Sequence, residues 1–396
     1  MTNKLPGIST FTDRISGEGA AAWDIHLEAS KAFDRGEDVI MLSIGDPDFS
    51  TPEPVVERAV EALRSGDTHY AATAGRTELR QAIADDFYRQ SSVPTEADNV
   101  FVFAGTQNAL FAASLTILER GDEVIALEPM YVSYEASLQL GGAKLVTVAQ
   151  PAENDFRPDI NLIKAAITPA TRAIVITTPN NPTGVALTAD ELQSIAALAI
   201  EHNLWVISDE IYTDIVFESE HQSIAALQDM AERTITINGL SKSHAMTGWR
   251  VGWTIAPKRL SPHFENLTLC MLYGIPGFVQ EAAILALTSQ RAASTEMRDT
   301  YKNRRDLVCN ELGRASNLPL LKPQAAMYVM ADIRGYGLSS AEFCKALYSA
   351  TGVSVLDAAA FGQSANGWVR ISYTLGEDTL AEGCRRIVGF LKDLQP

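Results

Sequence analysis

The stretch TITINGLSKSHAMTGWR, residues 234–250, joins an apolar run typical of a buried β-strand to a group of polar side chains. Lys242 lies among small and hydroxyl residues directly after this run, and Arg250 follows it. A lysine provides an amine nucleophile, and an arginine provides a charged clamp that suits phosphate. In open α/β sheets, ligands bind beyond the carboxyl ends of the strands. The stretch therefore predicts an α/β sheet with Lys242 at its site.

Other apolar runs of strand length alternate with helical patterns, which predicts βαβ units and a mostly parallel sheet. The clearest helix is Ala189–His202, which Thr188 and Glu191 open as a capping box. The predicted strands of this sheet are Val100–Ala104, Glu123–Leu127, Ala173–Thr177, Trp205–Ser208 and Thr234–Asn238.

The C-terminal part is predicted to add helices such as Leu380–Leu394 and short strands at Met327–Asp332 and Trp368–Tyr373. No internal repeat and no Gly/Ser-rich linker divides the 396 residues, which are enough for two cores. We expect a large α/β domain over residues 50–290 and a smaller α+β domain over residues 291–396. Residues 1–49 are expected to pack on the smaller domain.

The composition excludes several classes of partner. A net charge of −17 and a pI near 4.8 disfavour binding to nucleic acid or to an anionic membrane. The first 14 residues lack an apolar signal region, and the uncharged stretch Leu267–Gln280 is too short to span a bilayer. The four cysteines form no C-x-x-C pair and the six histidines form no H-x-x-x-H pair. We expect a cytoplasmic protein with reduced thiols and no metal site.

Side chains suited to a ligand follow the other predicted strands as well. Gly105 and Thr106 open a helix whose free backbone N–H groups suit a phosphate. Tyr131 offers an aromatic ring for a flat ligand, and the rigid turn PNNPTG presents the amide of Asn181. After the next strand, Asp209 and Tyr212 stand three residues apart in SDEIY, residues 208–212, and would face the same side if a helical turn begins there.

Each of these residues also has an ordinary structural explanation when it is taken alone. Gly-Thr pairs often cap helices, and Asp209 suits a helix cap as well. Tyr131 and Tyr212 suit core packing, and Arg370 suits a common salt bridge. Several such residues in one order along the chain are therefore needed to indicate a site.

Taken together, NNPTG at residues 180–184, SDEIY at residues 208–212 and SKSHAMTGWR at residues 241–250 resemble the motifs of class I pyridoxal-phosphate-dependent aminotransferases. That is the fold type I family that includes aspartate aminotransferase. The resemblance runs from SIGDPDF, residues 43–49, to WVRISYT, residues 368–374. It implies a three-layer α/β fold, a pyridoxal 5′-phosphate cofactor and transamination between an amino acid and a 2-oxo acid.

The resemblance also implies a role for each matching residue. Lys242 would bond covalently to the cofactor and later move the substrate proton, while Asp209 would keep the ring nitrogen protonated. Tyr212 and Asn181 would hydrogen-bond the cofactor's phenolic oxygen, and Tyr131 would stack on its ring. The residues implied for the phosphate end are Gly105, Thr106, Gln107, Ser241 and Arg250.

Two further roles concern the substrate and the assembly. Arg370 would bind the substrate's α-carboxylate with a bidentate pair, helped by Asn181 and by the backbone at Gly45. Tyr70 resembles the tyrosine that reaches the phosphate of the neighbouring subunit, which implies at least a homodimer.

The sequence departs from the family pattern in places that affect the substrate. Gly239 stands where many members have a serine, so the phosphate cup should differ slightly. Gln107 stands where a branch acting on aspartate has a lysine, and residues 262–290 contain no Lys or Arg. A dicarboxylic amino acid is therefore not the favoured substrate.

Longer stretches resemble the bacterial members that pass the amino group of arginine to pyruvate. A guanidinium substrate needs an acidic partner, for which Asp24, Glu265 and Glu281 are candidates. We expect L-arginine, or another basic or neutral amino acid, as donor. The stretches with this resemblance are Gly17–His26, Glu128–Ala136, Leu240–Trp253 and Glu265–Gly274.

Other functions remain open on the same residues. An aspartate or aromatic aminotransferase, a C–S β-lyase or a decarboxylase would use the same cofactor residues on the same scaffold. A non-catalytic regulatory protein is disfavoured by the joint presence of Lys242, Asp209 and Arg370. A nicotinamide dehydrogenase is disfavoured because no complete G-x-G-x-x-G follows an early strand.

Overall fold

The computed structural model describes Gly7, residues 23–315 and residues 317–394. The rest of residues 1–22, including most of the stretch Gly17–His26, lies outside the described part. The helices are α1 Asp24–Asp34, α2 Glu53–Arg64, α3 Thr77–Ser91, α4 Thr106–Ile117, α5 Tyr134–Gln139, α6 Ile160–Ala166, α7 Ala189–Glu201, α8 Ser261–Met271, α9 Gly277–Ser289, α10 Arg291–Leu312, α11 Ser340–Thr351 and α12 Glu377–Asp393.

The strands belong to one large and two small sheets. They are β1 Ile40–Met41, β2 Val100–Phe103, β3 Glu123–Glu128, β4 Lys144–Ala149, β5 Thr171–Thr177, β6 Trp205–Asp209, β7 Thr234–Gly239, β8 Gly252–Ile255, β9 Leu320–Leu321, β10 Tyr328–Asp332, β11 Val353–Ser354, β12 Leu356–Asp357 and β13 Trp368–Ser372.

The large sheet has the order β2-β8-β7-β6-β5-β3-β4. Its neighbours pair in parallel except around β8, which is antiparallel to both β7 and β2. The predicted strands are confirmed to within two residues at each end. Strands β4 and β8 were not predicted from the sequence; the run of β8 follows the arginine of the phosphate motif without an intervening helix.

Helices cover both faces of the large sheet, which confirms the three-layer α/β prediction. In β5, Ala173 and Val175 pack in the core formed with α4. The alternate residues Ile174 and Ile176 pack in the core formed with α7. A strand buried on both faces reads as a continuous apolar run, which is why β5 was visible in the sequence.

Helix α7 begins where its sequence predicts. The Thr188 amide donates to the Glu191 side chain at 2.7 Å, and the Glu191 amide donates to the Thr188 hydroxyl at 3.3 Å. This reciprocal capping box satisfies two N–H groups that the helix itself leaves unpaired. Helix α12 begins three residues before the predicted start, because Glu377 and Asp378 form an acidic first turn.

A smaller four-stranded antiparallel sheet, β12-β13-β10-β9, lies in the C-terminal part of the chain. It shares a core with α10, α11 and α12, which also includes Ile40 and Leu42 from the N-terminal segment. Strand β1 pairs with β11, so this segment is tied to the C-terminal part. Among the described helices, none is long and apolar enough to cross a membrane.

Candidate active site

A cavity of about 530 Å³ opens at the carboxyl ends of the parallel strands, where an α/β sheet is expected to bind its ligand. Residues in the loops and helix starts that follow the strands of the large sheet form most of its wall, and Tyr328 on β10 and Arg370 on β13 close it from the other side. The expected site residues that line it are Gly45, Thr106, Gln107, Tyr131, Asn181, Asp209, Tyr212, Ser241, Lys242, Arg250 and Arg370.

Lys242 follows β7 and extends its amine into the cavity, where Nζ donates to the Gly45 carbonyl at 2.7 Å. Burial lowers the pKa of Lys242 to about 8, and the charges of Arg370 and Arg250 act in the same direction. The nearby carboxylate of Asp46 opposes this shift. A substantial neutral fraction is therefore present near neutral pH, and a neutral amine is the form that attacks a carbonyl.

Asp209 is the last residue of β6. Its carboxylate accepts a hydrogen bond from the Tyr134 hydroxyl at 2.5 Å and another from the Ile211 amide at 3.2 Å. Burial raises the pKa of Asp209 to about 6, while the bonds from Tyr134 and Ile211 lower it. The expected helical turn is not what aligns Asp209 with Tyr212. Asp209 is still in the strand, and the chain turns after it.

Two tyrosines meet beside the lysine. The hydroxyls of Tyr212 and Tyr328 lie 3.0 Å apart in the interior. Burial raises the pKa of Tyr212 well above its usual range, so the phenol stays protonated. A side chain at Gly45 would overlap with Tyr328, so only glycine lets the backbone that receives Lys242 come this close.

Arg370 lies on β13 and is 1% exposed. Its Nη1 donates to Asn181 Oδ1 at 2.9 Å, and its Nη2 donates to the Ser43 carbonyl at 2.7 Å. The Tyr328 ring lies 4.2 Å from the guanidinium carbon and packs against its plane. The Nε atom of Arg370 is buried without a hydrogen-bond partner among the described residues. The guanidinium is thus fixed in the cavity wall, where it can bind a carboxylate.

The opposite end of the cavity fits a phosphate. Gly105, with φ +83°, precedes α4, and a side chain there would overlap with the Arg250 guanidinium. A side chain at Gly252 would come within 2.6 Å of the Thr106 amide nitrogen. These glycines leave a cradle beside a helix N-terminus, with Arg250 as its cation and Ser241 on the same wall.

Two expected cofactor residues have other contacts in the described structure. The Gln107 amide donates to Ser137 and accepts from Ser133, both at 2.7 Å, so its side chain joins α4 to the segment around α5. Tyr70 does not line the cavity of its own chain. It is 90% exposed, and its ring lies 5.8 Å from that of Tyr273.

The three candidates for a guanidinium partner do not line the cavity. Asp24 lies exposed on α1 and Glu265 lies exposed on α8. Glu281 is bound by Arg58 and Arg76, so its charge is already paired. Among the described lining residues, the acids are Asp209 and Asp46.

Sequence reasoning missed further residues of the wall, namely Trp23, Ile44, Asp46, Tyr134, Thr177, Ile211 and Tyr328. Tyr134 had a signal, because it stands three residues after Tyr131 at the start of a helix. Asp46 lies inside the matched stretch SIGDPDF. Whether its side chain faces the cavity depends on contacts between distant parts of the chain, which the sequence does not show.

Comparison with known proteins identifies the family. Residues 37–387 match the model of the family described as aminotransferase class I and II. The chain belongs to this family. It is therefore a pyridoxal 5′-phosphate-dependent aminotransferase, as its cavity suggests.

Individual members of this aminotransferase family match over almost the whole chain. The arginine–pyruvate transaminase AruH of Pseudomonas aeruginosa is 48% identical over 96% of both chains. The aromatic-amino-acid aminotransferase 2 of Thermococcus litoralis is 40% identical over 92% of this chain and 96% of its own. Among solved structures, the aspartate aminotransferase from Thermus thermophilus with maleate has a TM-score of 0.92 and 34% identity, covering 98% of this chain and 100% of its own.

Proposed function

We propose that this aminotransferase passes the amino group of L-arginine, or of another basic or neutral amino acid, to pyruvate. The similarity to AruH of Pseudomonas aeruginosa supports this choice. The charges of the cavity support it independently. Its lining holds three cations, Lys242, Arg250 and Arg370, each with a proposed role toward cofactor or α-carboxylate. No further cation of the described lining is left for a distal carboxylate.

The choice of a cationic donor rests on the position of Asp46. It lines the cavity, and it is exposed enough to receive a group that enters from solvent. A guanidinium needs a carboxylate partner to offset its desolvation. Asp46 therefore takes the place that the sequence analysis gave to Asp24, Glu265 and Glu281.

Each step of the proposed transamination is assigned to particular residues of the cavity. The bound cofactor supplies a ring that accepts electrons from the substrate's Cα. Lys242 would hold the cofactor covalently through Nζ and would carry the proton to and from the substrate's Cα. Asp209 keeps the ring nitrogen protonated. Tyr212 and Asn181 hydrogen-bond the phenolic oxygen, and Tyr131 packs on the ring.

The remaining residues bind and orient. Arg370 binds the α-carboxylate, supported by Asn181 and the Gly45 backbone. Pyruvate needs no group beyond this clamp, because its methyl carries no charge. The phosphate is bound by Gly105, Thr106, Gln107, Ser241 and Arg250, with the backbone of Gln107 rather than its side chain as donor.

We propose a homodimer in which Tyr70 reaches the phosphate in the other subunit's site. Its exposure, and the neighbouring exposed Leu269, Leu272 and Tyr273, support a surface that a second copy covers. We also propose the domain division at residues 1–49, 50–290 and 291–396. The four unpaired cysteines support a cytoplasmic location.

A panel of amino donors, each with pyruvate or 2-oxoglutarate, tests the proposed substrate. We expect ping-pong kinetics, arginine among the best donors by kcat/KM, and a change of the cofactor absorbance with arginine alone. Glutamate or aspartate as by far the best donor would overturn the donor assignment. Release of ammonia and pyruvate without any 2-oxo acid would instead indicate a β-lyase.

A further inference from the structure

Tyr134 makes a contact that the proposed mechanism does not use. It is the first residue of α5, and its side chain is buried at 2% exposure. Its hydroxyl lies 2.5 Å from Asp209 Oδ2 and 3.0 Å from Thr177 Oγ1. One phenol therefore bridges the acid proposed for the cofactor ring and a hydroxyl on the neighbouring strand.

The direction of these hydrogen bonds follows from the chemistry of the groups. Burial, together with the adjacent charge of Asp209, raises the pKa of Tyr134 well above its usual range, so the phenol keeps its proton. A carboxylate only accepts, so that proton points to Asp209. Toward Thr177 the phenol oxygen is then an acceptor, and the Thr177 hydroxyl donates. The bonds run from Thr177 to Tyr134 to Asp209.

The register of the large sheet sets the distance between Thr177 and Asp209, the two residues that Tyr134 bridges. Thr177 ends β5, Asp209 ends β6, and the two are partners in the parallel register of these strands. Tyr134 enters from α5, three residues after Tyr131, and the two rings meet edge to face at 6.2 Å. The same short segment therefore supplies the proposed ring-stacking residue and the donor to Asp209.

Burial favours the protonated form of Asp209 by raising its pKa, and the charge of the adjacent Glu210 acts in the same direction. The bonds from Tyr134 and from the Ile211 amide act against both effects. A carboxylate with a fixed donor on one oxygen also loses most of its rotational freedom. The Tyr134 hydroxyl contributes to both effects, together with the Ile211 amide on the other carboxylate oxygen.

We propose that Tyr134, with Thr177 behind it, is a positioning residue that holds the Asp209 carboxylate in one orientation and in its charged form. The proposal rests on the role proposed above for Asp209 toward the cofactor ring. It concerns a residue that touches Asp209 rather than the reacting atoms.

The test compares Tyr134→Phe with Tyr301→Phe. Tyr301 is also a buried phenol, and its hydroxyl has no hydrogen-bond partner among the described residues. Both variants remove one hydroxyl from the interior, but only the first removes a donor to Asp209. Thr177→Val removes the hydroxyl that donates to Tyr134. It should change the two readouts described below in the same direction as Tyr134→Phe, but by less.

The first readout uses the cofactor-free protein, whose melting temperature is measured from pH 4 to pH 8. Asp209 has a folded pKa above its unfolded value, so its protonation favours the fold at low pH, and this contribution is lost as pH rises through about 6. Tyr134→Phe should raise that pKa by about one unit, so its deficit in melting temperature should grow with pH. The deficit of Tyr301→Phe should not depend on pH.

The second readout is the dissociation constant of pyridoxal 5′-phosphate, which Tyr134→Phe should raise about tenfold. The same variant should change kcat by a larger factor than KM, with kcat reduced. In the Asp209→Asn background, Tyr134→Phe should no longer change the pH profile. Equal effects of Tyr134→Phe and Tyr301→Phe in both readouts would overturn the proposal. Full activity of Asp209→Asn would instead remove the proposed role of Asp209, so the two failures are distinguishable.

Discussion

Arg370 on β13 and Asn181 after β5 connect the small sheet to the large one through a 2.9 Å hydrogen bond inside the cavity. A second bond, from Arg370 to the Ser43 carbonyl, fixes the guanidinium plane from the N-terminal segment. The clamp proposed for the α-carboxylate is therefore oriented by protein contacts before any substrate binds. Such preorganisation lowers the cost of binding and of catalysis.

Replacing this arginine should affect every substrate alike. In Arg370→Lys, a single ammonium replaces a planar fork, so kcat/KM should fall about 100-fold for arginine and for alanine, as expected when charge-assisted hydrogen bonds are lost. Steady-state kinetics with both donors measure the change. Arg386→Lys is the control, because that arginine pairs with Asp38 and Glu382 away from the cavity. A loss confined to one donor would contradict the assignment.

Asp46 should act chiefly on the donor side chain, in addition to its smaller, donor-independent effect of raising the pKa of Lys242. We expect Asp46→Asn to lower kcat/KM for arginine about tenfold and to leave alanine nearly unchanged, because only the former has a guanidinium to pair. Asp24→Asn provides a control with the same change of charge outside the cavity. If the two variants behave alike toward arginine, the distal group is bound elsewhere.

The lowered pKa of Lys242 makes cofactor attachment sensitive to pH. The neutral amine is the nucleophile, so the rate of covalent incorporation should rise with pH and reach half its maximum near pH 8. Absorbance follows the rate, and borohydride reduction with peptide mapping locates the bond. A midpoint near pH 10, as for an exposed lysine, or an adduct at another residue would contradict this account.

The same shift has a consequence for the cofactor-free fold. Between pH 8 and about 10, the unfolded chain keeps the proton that folded Lys242 has lost, so stability should rise with pH across this window. Lys242→Met should be more stable than the original chain below pH 8, and this advantage should shrink as pH rises through the window. Thermal unfolding of the two proteins without cofactor measures the difference.

Gly239 is required by close packing under the phosphate cradle. An added Cβ would lie 2.9 Å from the Val251 carbonyl and 3.2 Å from Thr106 Cγ2. Gly239→Ser should therefore destabilise the protein by about 1–3 kcal/mol and weaken cofactor binding. Gly376→Ser is the control, because a Cβ there meets nothing within 4 Å. Unchanged cofactor affinity in Gly239→Ser would show that the cradle adapts.

Tyr70 gives a test of the proposed dimer. Tyr70→Ala should weaken cofactor binding about tenfold, and Lys242→Ala should be inactive. When the two variants are refolded together, a mixed dimer contains one site with both native residues, so random pairing restores about one quarter of all sites. Activity at limiting cofactor measures this gain. Mixing Lys242→Ala with Tyr88→Ala controls for dilution, and no gain would place Tyr70 outside the partner's site.

The sequence predicted the strands and the residues that follow them, because strands buried on both faces leave continuous apolar runs. Lys242 and Asp209 were found for the same reason, since Lys242 follows such a strand and Asp209 ends one, whereas Arg370 was found through the resemblance of its stretch to a family motif. Tyr134 and Thr177 were missed because their partner Asp209 is distant in sequence and close only through sheet register. Tyr328 was missed because its contact with Gly45 joins the two ends of the chain.

The guanidinium candidates show where charge pattern alone misleads. Glu281 lies in an apolar helix and looked available, but two arginines from α2 and the start of α3 already pair with it. Asp46 carries the same charge and differs only in facing the cavity. A sequence reports that an acid is present, whereas the fold decides whether its charge is already neutralised.

The lining side chains Trp23, Ile44 and Asp46 all come from the N-terminal segment, residues 1–49. None of them is assigned to the ring, the phosphate or the α-carboxylate. We expect exchange of these three side chains to redirect the enzyme to a new amino donor while Ser43 and Gly45, in the same segment, keep their contacts with Arg370 and Lys242. The choice of amino donor and the catalytic chemistry can therefore change independently as this chain evolves.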